Sequence, residues 1–247
     1  MPDERSDNLA AGLFGLYTAP DTEPHALDNV RALWPDLWPY VSEDARNELG
    51  TKLGRFTASA EQDRASKARE LLDVVDGAQY LPESVRQAEI DQALDDLVNV
   101  HNGFDNFYHE PRVARQLEDL VGKYGNVPAP LTRKYVHNLV HVFLTNGHGV
   151  AWNADPTYRE LISRFDVSQA SLALRTFTST MISSRLQHSL SRQKWTELLD
   201  LVAPKLTGRR DRAFLQAVRD FNGTPDKLIK DADIKKQLDD WRAAASH

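Results

Sequence analysis

Residues 131–144 read LTRKYVHNLVHVFL, and this stretch decides the fold class. Apolar side chains stand at 131, 135, 136, 139, 140, 142, 143 and 144. At about 100° per residue they cover most of a helical cylinder and leave one narrow polar strip. Lys134, His137, Asn138, His141 and Thr145 share that strip. A strand would require alternation with a period of two, which is absent here. The spacing therefore predicts a helix buried on most sides, with a polar seam facing a groove or a hydrogen-bonded neighbour.

The same period recurs outward from this segment. Leu71, Leu72 and Val75 form one stripe, and Ile90, Leu94, Leu97 and Val98 a second. Leu172, Leu174, Phe177, Met181 and Ile182 form a third, and Trp195, Leu198, Leu199 and Val202 a fourth. Helical segments are expected near 7–18, 25–34, 42–57, 59–76, 83–101, 111–123, 130–145, 156–165, 168–187, 190–206, 209–221 and 225–244, some of them split or merged. Punctuation supports these bounds. Pro111, Pro130, Pro156 and Pro225 sit where a first helical turn tolerates a missing N–H. Ser59-x-x-Gln62 and Asp166-x-x-Gln169 read as capping boxes, and Asp155 as a cap ahead of Pro156. Gly77, Gly122, Gly125, Gly147, Gly149, Gly208 and Gly223 read as helix stops. Trp34-Pro35 and Trp38-Pro39 read as a helix end and a tight connection, because a residue before proline is biased away from the α region. In LAAGLFGLY, Leu9–Tyr17, glycines alternate with large apolar residues. That segment reads as a first helix, either docked or exposed for a partner.

The expected architecture is all-α: a compact multi-helix domain of about ten helices. An irregular helical superhelix and two packed helical subdomains stay open within that class. No regular repeat of 34 or 40 residues is evident. The net charge of −6 conceals a division. Residues 1–126 carry 24 Asp and Glu against 12 Lys and Arg, whereas residues 127–247 carry 12 against 18. The division falls at GKYGNVPAP, residues 122–130. An acidic subdomain 1–126 and a basic subdomain 127–247 are expected, joined as one continuous globular unit rather than as independent domains.

The chain has no cysteine, which excludes disulfides, thiolate metal sites, iron–sulfur clusters and cysteine nucleophiles. The acidic MPDERSDN start lacks the basic and apolar regions of a signal peptide, and no apolar run approaches the ~20 residues of a membrane span. A soluble, cytoplasmic chain with no membrane association is expected.

Three functional readings follow. His137 and His141 are four apart, on one helix face, as in H-E-x-x-H zinc sites, but Asn138 stands where that motif needs its glutamate base. A metal-dependent hydrolase would need His101 and His109, or Asp105 and Glu110, to complete a ligand set. Asp73/Asp76 and Asp91/Asp95 have Mg²⁺-compatible spacing without a matching second motif; they read as a solvated face. Arg185, Arg192, Lys194, Lys205, Arg209, Arg210 and Arg212 could form a nucleic-acid surface, with TGRRDR, Thr207–Arg212, opening a helix. No phosphate loop, dinucleotide fingerprint or nucleophile elbow occurs, and no cofactor is implied. The leading expectation is a non-enzymatic adaptor. It would bind a protein partner through the acidic half, or through a groove lined by His137, Asn138, His141, His148, Trp152 and Asn153.

Overall fold

A computed structural model describes residues 4–19, 22–103, 109–145, 154–182, 192–221, 232 and 234–236. Among these residues the chain is helical and contains no strand. The all-α expectation holds. The described residues include eleven named α-helices: α1 Glu4–Thr18, α2 Pro24–Leu37, α3 Glu43–Thr57, α4 Gln62–Asp73, α5 Glu83–Asn102, α6 Glu110–Tyr124, α7 Thr132–Thr145, α8 Asp155–Ser163, α9 Val167–Ile182, α10 Arg192–Val202 and α11 Arg209–Asp220. Short 3-10 turns occupy Trp38–Tyr40, Gly77–Tyr80, Ala129–Leu131 and Ala203–Lys205.

The helices form two compact units. Unit 1 holds residues 1–89 and 123–126; unit 2 holds 90–122 and 127–247. The division passes through α5 and again through α6. The boundary drawn from charge, 126/127, coincides with one crossing. Residues 90–122, acidic by charge, pack with unit 2.

In unit 1, α3 lies against α4 and α1 against α2. Ser42 starts α3: its Oγ accepts from the Ala45 amide at 3.3 Å, filling one orphan donor of the first turn. Asp7 of α1 accepts from both the Ser42 amide and the Ser42 hydroxyl at 2.7 Å, so α1 is tied to the start of α3. Trp34 and Trp38 are buried with ring centroids 5.3 Å apart, and Trp38 meets the edge of Tyr80 at 6.5 Å. Helix α2 does not end at Trp34; it runs through Pro35 to Leu37. Proline there forgoes only the bond to the Arg31 carbonyl, and Arg31 is exposed. Arg69, Glu89 and Tyr124 form a hydrogen-bonded group, and Lys123 reaches Asp73 at 2.6 Å.

Two glycines set the approach of α3 to the Gly77–Tyr80 turn. A Cβ on Gly50 would lie 2.6 Å from the Tyr80 ring, and one on Gly54 would lie 1.9 Å from the Tyr80 carbonyl oxygen. Asp76, with φ of 51°, supplies the left-handed residue before that turn.

In unit 2, α7 is central. Tyr135, Val136, Leu139, Val140, Val142, Phe143 and Leu144 are all buried. They pack against α8, α9 and α10, whose inward residues include Tyr158, Leu161, Ala173, Leu174, Phe177, Trp195 and Leu198. The Asp166–Gln169 capping box forms reciprocally. The Gln169 amide donates to Asp166 Oδ1 at 2.7 Å, and the Asp166 amide to Gln169 Oε1 at 3.1 Å.

Several caps differ from expectation. Glu61, not Ser59, precedes α4, and Ser59 Oγ accepts only from the Glu61 amide, two residues on. Ala154 is the cap of α8, because Asp155 has turned inward and is buried. Gly208 precedes α11 instead of ending a helix, and Gly122 lies inside α6. Gly125, with φ of +74°, terminates α6 as expected. Gly147, Gly149 and Gly223 lie outside the described residues.

Candidate functional site

The polar strip of α7 is where the sequence placed it, and it meets the unit 2 part of α5. Lys134 Nζ lies 2.5 Å from Asp91 and 2.7 Å from Asp95. The two carboxylates that could have held Mg²⁺ instead clamp an ammonium. Asp73 is likewise paired, with Lys123 and Arg69. One turn along α7, Asn138 is buried and donates to the Leu94 carbonyl at 3.2 Å. The residue that removes the zinc-protease reading is thus a fastener between helices, since a buried amide must find a partner.

At the far end of the seam three histidines approach one another. The His141 ring stands 6.1 Å from His101, edge to face, and 6.3 Å from His137, nearly parallel. His137 is exposed and His141 half-buried. Burial pushes the His141 imidazole below its ordinary range, with His101 and His137 adding like-charge repulsion. His109 is exposed. Among the described residues no three His, Asp or Glu side chains are placed to hold a metal ion. Asp105 lies outside the described residues.

His101 is the centre of a buried network. Its Nδ1 lies 3.3 Å from Glu110 Oε1 and 3.4 Å from Oε2, and its Nε2 lies 2.7 Å from Thr145 Oγ1. The Tyr158 hydroxyl donates to Glu110 Oε1 at 2.6 Å. Glu110 is 5% exposed. Burial, followed by the Glu110 charge, holds the Tyr158 phenol well above the ordinary tyrosine range. Carboxylate, imidazole and hydroxyl stand in the order of a nucleophilic triad. Thr145, however, donates its hydrogen to the His141 carbonyl at 2.6 Å, the usual tie of a helical threonine to the preceding turn. The hydroxyl hydrogen a base would remove is already committed, so the group reads as a structural junction.

A second polar group lies beside it. Lys194 of α10 is paired with Asp155 at the start of α8 and stands 4.5 Å over the Phe143 ring. Arg159 links Asp155 to Glu197. This removes Lys194 from the expected nucleic-acid surface. Arg192 donates to the Phe221 carbonyl at 3.0 Å, and Arg219 is paired with Asp200. Lys205 is half-buried, and Arg209, Arg210 and Arg212 are exposed at the start of α11. Arg185 lies outside the described residues, as do His148, Trp152 and Asn153 of the expected groove.

The feature that sequence reading left open is α1. It is docked on one face through Ala10 and Tyr17, both buried. Flanking that face, Leu9 is 54% and Leu16 52% exposed. Gly12 lies next to them and Gly15 farther round on the exposed side, and a Cβ at either would meet nothing within 4 Å. On α2, Leu33 is 54% exposed as well.

No protein-family model, curated protein or solved structure matches this chain. The class defined by the residues is an all-α protein with two helical units, a buried imidazole–carboxylate junction in one and an apolar helix face in the other. No helix among the described residues is long and apolar enough to cross a membrane.

Proposed function

We propose that the protein is a non-enzymatic adaptor that binds a protein partner through the outer face of α1. The observation that carries this reading is the pair Leu9 and Leu16, each more than half exposed beside two glycines with open space above them. Glycine inside a helix costs roughly 1 kcal/mol relative to alanine. No neighbour within unit 1 needs either Cβ removed. An incoming backbone would, since absent side chains permit close helix approach.

Unit 1 carries 17 Asp and Glu against 10 Lys and Arg. That balance repels a second copy and favours a basic partner. The occupant this supports is an amphipathic helix with an apolar ridge and flanking Lys or Arg. The test is selection of displayed helical peptides on the full chain, with counter-selection on a Leu9→Asp/Leu16→Asp variant. The reading expects basic amphipathic clones that bind only the wild type. Clones indifferent to the double substitution, or self-association abolished by it, would refute the reading.

A second reading rests on Arg209, Arg210 and Arg212. All three are exposed, and none makes an ion pair among the described residues. They support a nucleic-acid contact narrower than the sequence implied.

A further inference from the structure

The junction at His101 closes only when it holds one more proton than a neutral imidazole beside a carboxylate. The donors can be counted. Thr145 directs its hydroxyl hydrogen to the His141 carbonyl, 2.6 Å away. Its oxygen therefore faces His101 Nε2 as an acceptor, at 2.7 Å, and Nε2 must carry hydrogen. Nδ1 faces both oxygens of Glu110, at 3.3 and 3.4 Å. A bare Nδ1 lone pair there would oppose a buried carboxylate; a protonated Glu110 would relieve this, but Tyr158 donates to Glu110 and the α6 N-terminus favours its anion.

The other neutral tautomer fares no better. If Nδ1 carried the only ring hydrogen, Thr145 would have to donate to Nε2. Its oxygen would then face the His141 carbonyl oxygen at 2.6 Å with no hydrogen between them. Helix ends favour the charged arrangement as well. His101 is in the last turn of α5 and Glu110 in the first turn of α6. The α5 C-terminus favours a cation and the α6 N-terminus an anion.

We infer that His101 is held as an imidazolium against the Glu110 carboxylate, and that this proton latches the ends of α5, α6, α7 and α8 together. The remaining charged or titratable neighbours fit. Tyr158 on α8 donates to Glu110, and Asp155 beside it is neutralised by Lys194 of α10. On α7, His141 meets the His101 ring edge to face, and the exposed His137 lies beyond it against His141. Loss of the proton would leave one of the two unfavourable facings described above. The latch lies in unit 2 and does not depend on the α1 reading.

Two measurements on the full chain test it. Long-range ¹H–¹⁵N correlation at about pH 7 should give the imidazolium pattern for His101, with both ring nitrogens protonated. Hydrogen exchange at about pH 7 should be about tenfold or more slower in the wild type than in His101→Gln across peptides covering 97–102, 110–117 and 155–160. A single-tautomer nitrogen pattern at about pH 7 would overturn the inference, as would a His101→Gln protein as protected there as the wild type. If His101→Gln does not fold, the wild-type nitrogen spectrum decides alone.

Discussion

Substitution of Gly54 by alanine, set against the same change at Gly12, separates a structural glycine from one free of internal packing. At Gly54 the new Cβ would fall 1.9 Å from the Tyr80 carbonyl oxygen and 2.9 Å from its carbon. Carbon–oxygen contacts settle near 3.3–3.6 Å, so α3 and the Gly77–Tyr80 turn must part by roughly 1.4 Å. The obstacle is backbone and cannot swing away as a side chain would. Overpacking of this kind costs about 3 kcal/mol, the upper part of its usual range, and the helix-propensity gain returns about 1. The net loss of about 2 kcal/mol corresponds to a fall in Tm of about 4–8 °C.

Gly12→Ala meets no atom within 4 Å and keeps only the propensity gain, up to about 1 kcal/mol of added stability. Thermal unfolding followed by circular dichroism reads both, with urea midpoints as a check on two-state behaviour. A Gly54→Ala protein that melts at or above the wild type would refute the packing reasoning. If α1 docks a helix through its glycine face, Gly12→Ala should also weaken partner binding while raising Tm, a combination that a purely structural role does not produce.

Other outcomes follow from the same contacts. Tyr158→Phe removes the donor to buried Glu110 and should cost about 1–3 kcal/mol in denaturant unfolding. Lys134→Met should cost no more than about 1 kcal/mol, and less at high salt, because Asp91 and Asp95 are 45% and 54% exposed. The Tyr124 phenol is raised to about 12 by burial and by its bond to Glu89. The folded state thus holds this proton above the ordinary value of about 10. Its stabilisation is complete below about pH 10 and lost as pH rises toward 12, and a Tyr124→Phe protein should show a shallower alkaline decline. For His141, depressed by burial, the sign reverses. Stability is present above the ordinary imidazole value of about 6.5 and lost as pH falls below it, and His141→Gln should flatten that acid limb. Arg209→Ala with Arg210→Ala and Arg212→Ala should abolish any low-salt retention on DNA or RNA; no wild-type retention would remove the nucleic-acid reading.

The elements legible in sequence were those fixed by local chemistry. The α7 period, the four apolar stripes and the Asp166–Gln169 box depend on residues within a few positions of one another. The seam on α7 was visible for the same reason, including the placement of Lys134, Asn138 and the two histidines on one side. What the seam meets was not visible, because His101 and Thr145 are 44 residues apart and Glu110 and Tyr158 are 48. Asp155 looked like a cap because local sequence carries no trace of Lys194, 39 residues on. Trp34-Pro35 misled because a pre-proline bias is weak beside the burial of two indoles. Gly50 and Gly54 do carry a signal in sequence: two glycines four apart inside a predicted helix cost propensity without explanation, which points to close approach on one face.

The route of the chain through its two units sets an order of events in synthesis. Tyr124, whose hydroxyl joins Arg69 to Glu89, follows residues 90–122, which belong to the other unit. Unit 1 therefore cannot finish its own polar closure when its first 89 residues leave the ribosome. It must wait through the next 35 residues for the end of α6 to arrive. During that interval Arg69 pairs with Glu89 and Asp73 but lacks the Tyr124 hydroxyl. A nascent chain paused before residue 124 should accordingly be more open to protease at α4 and early α5 than one paused a few residues later.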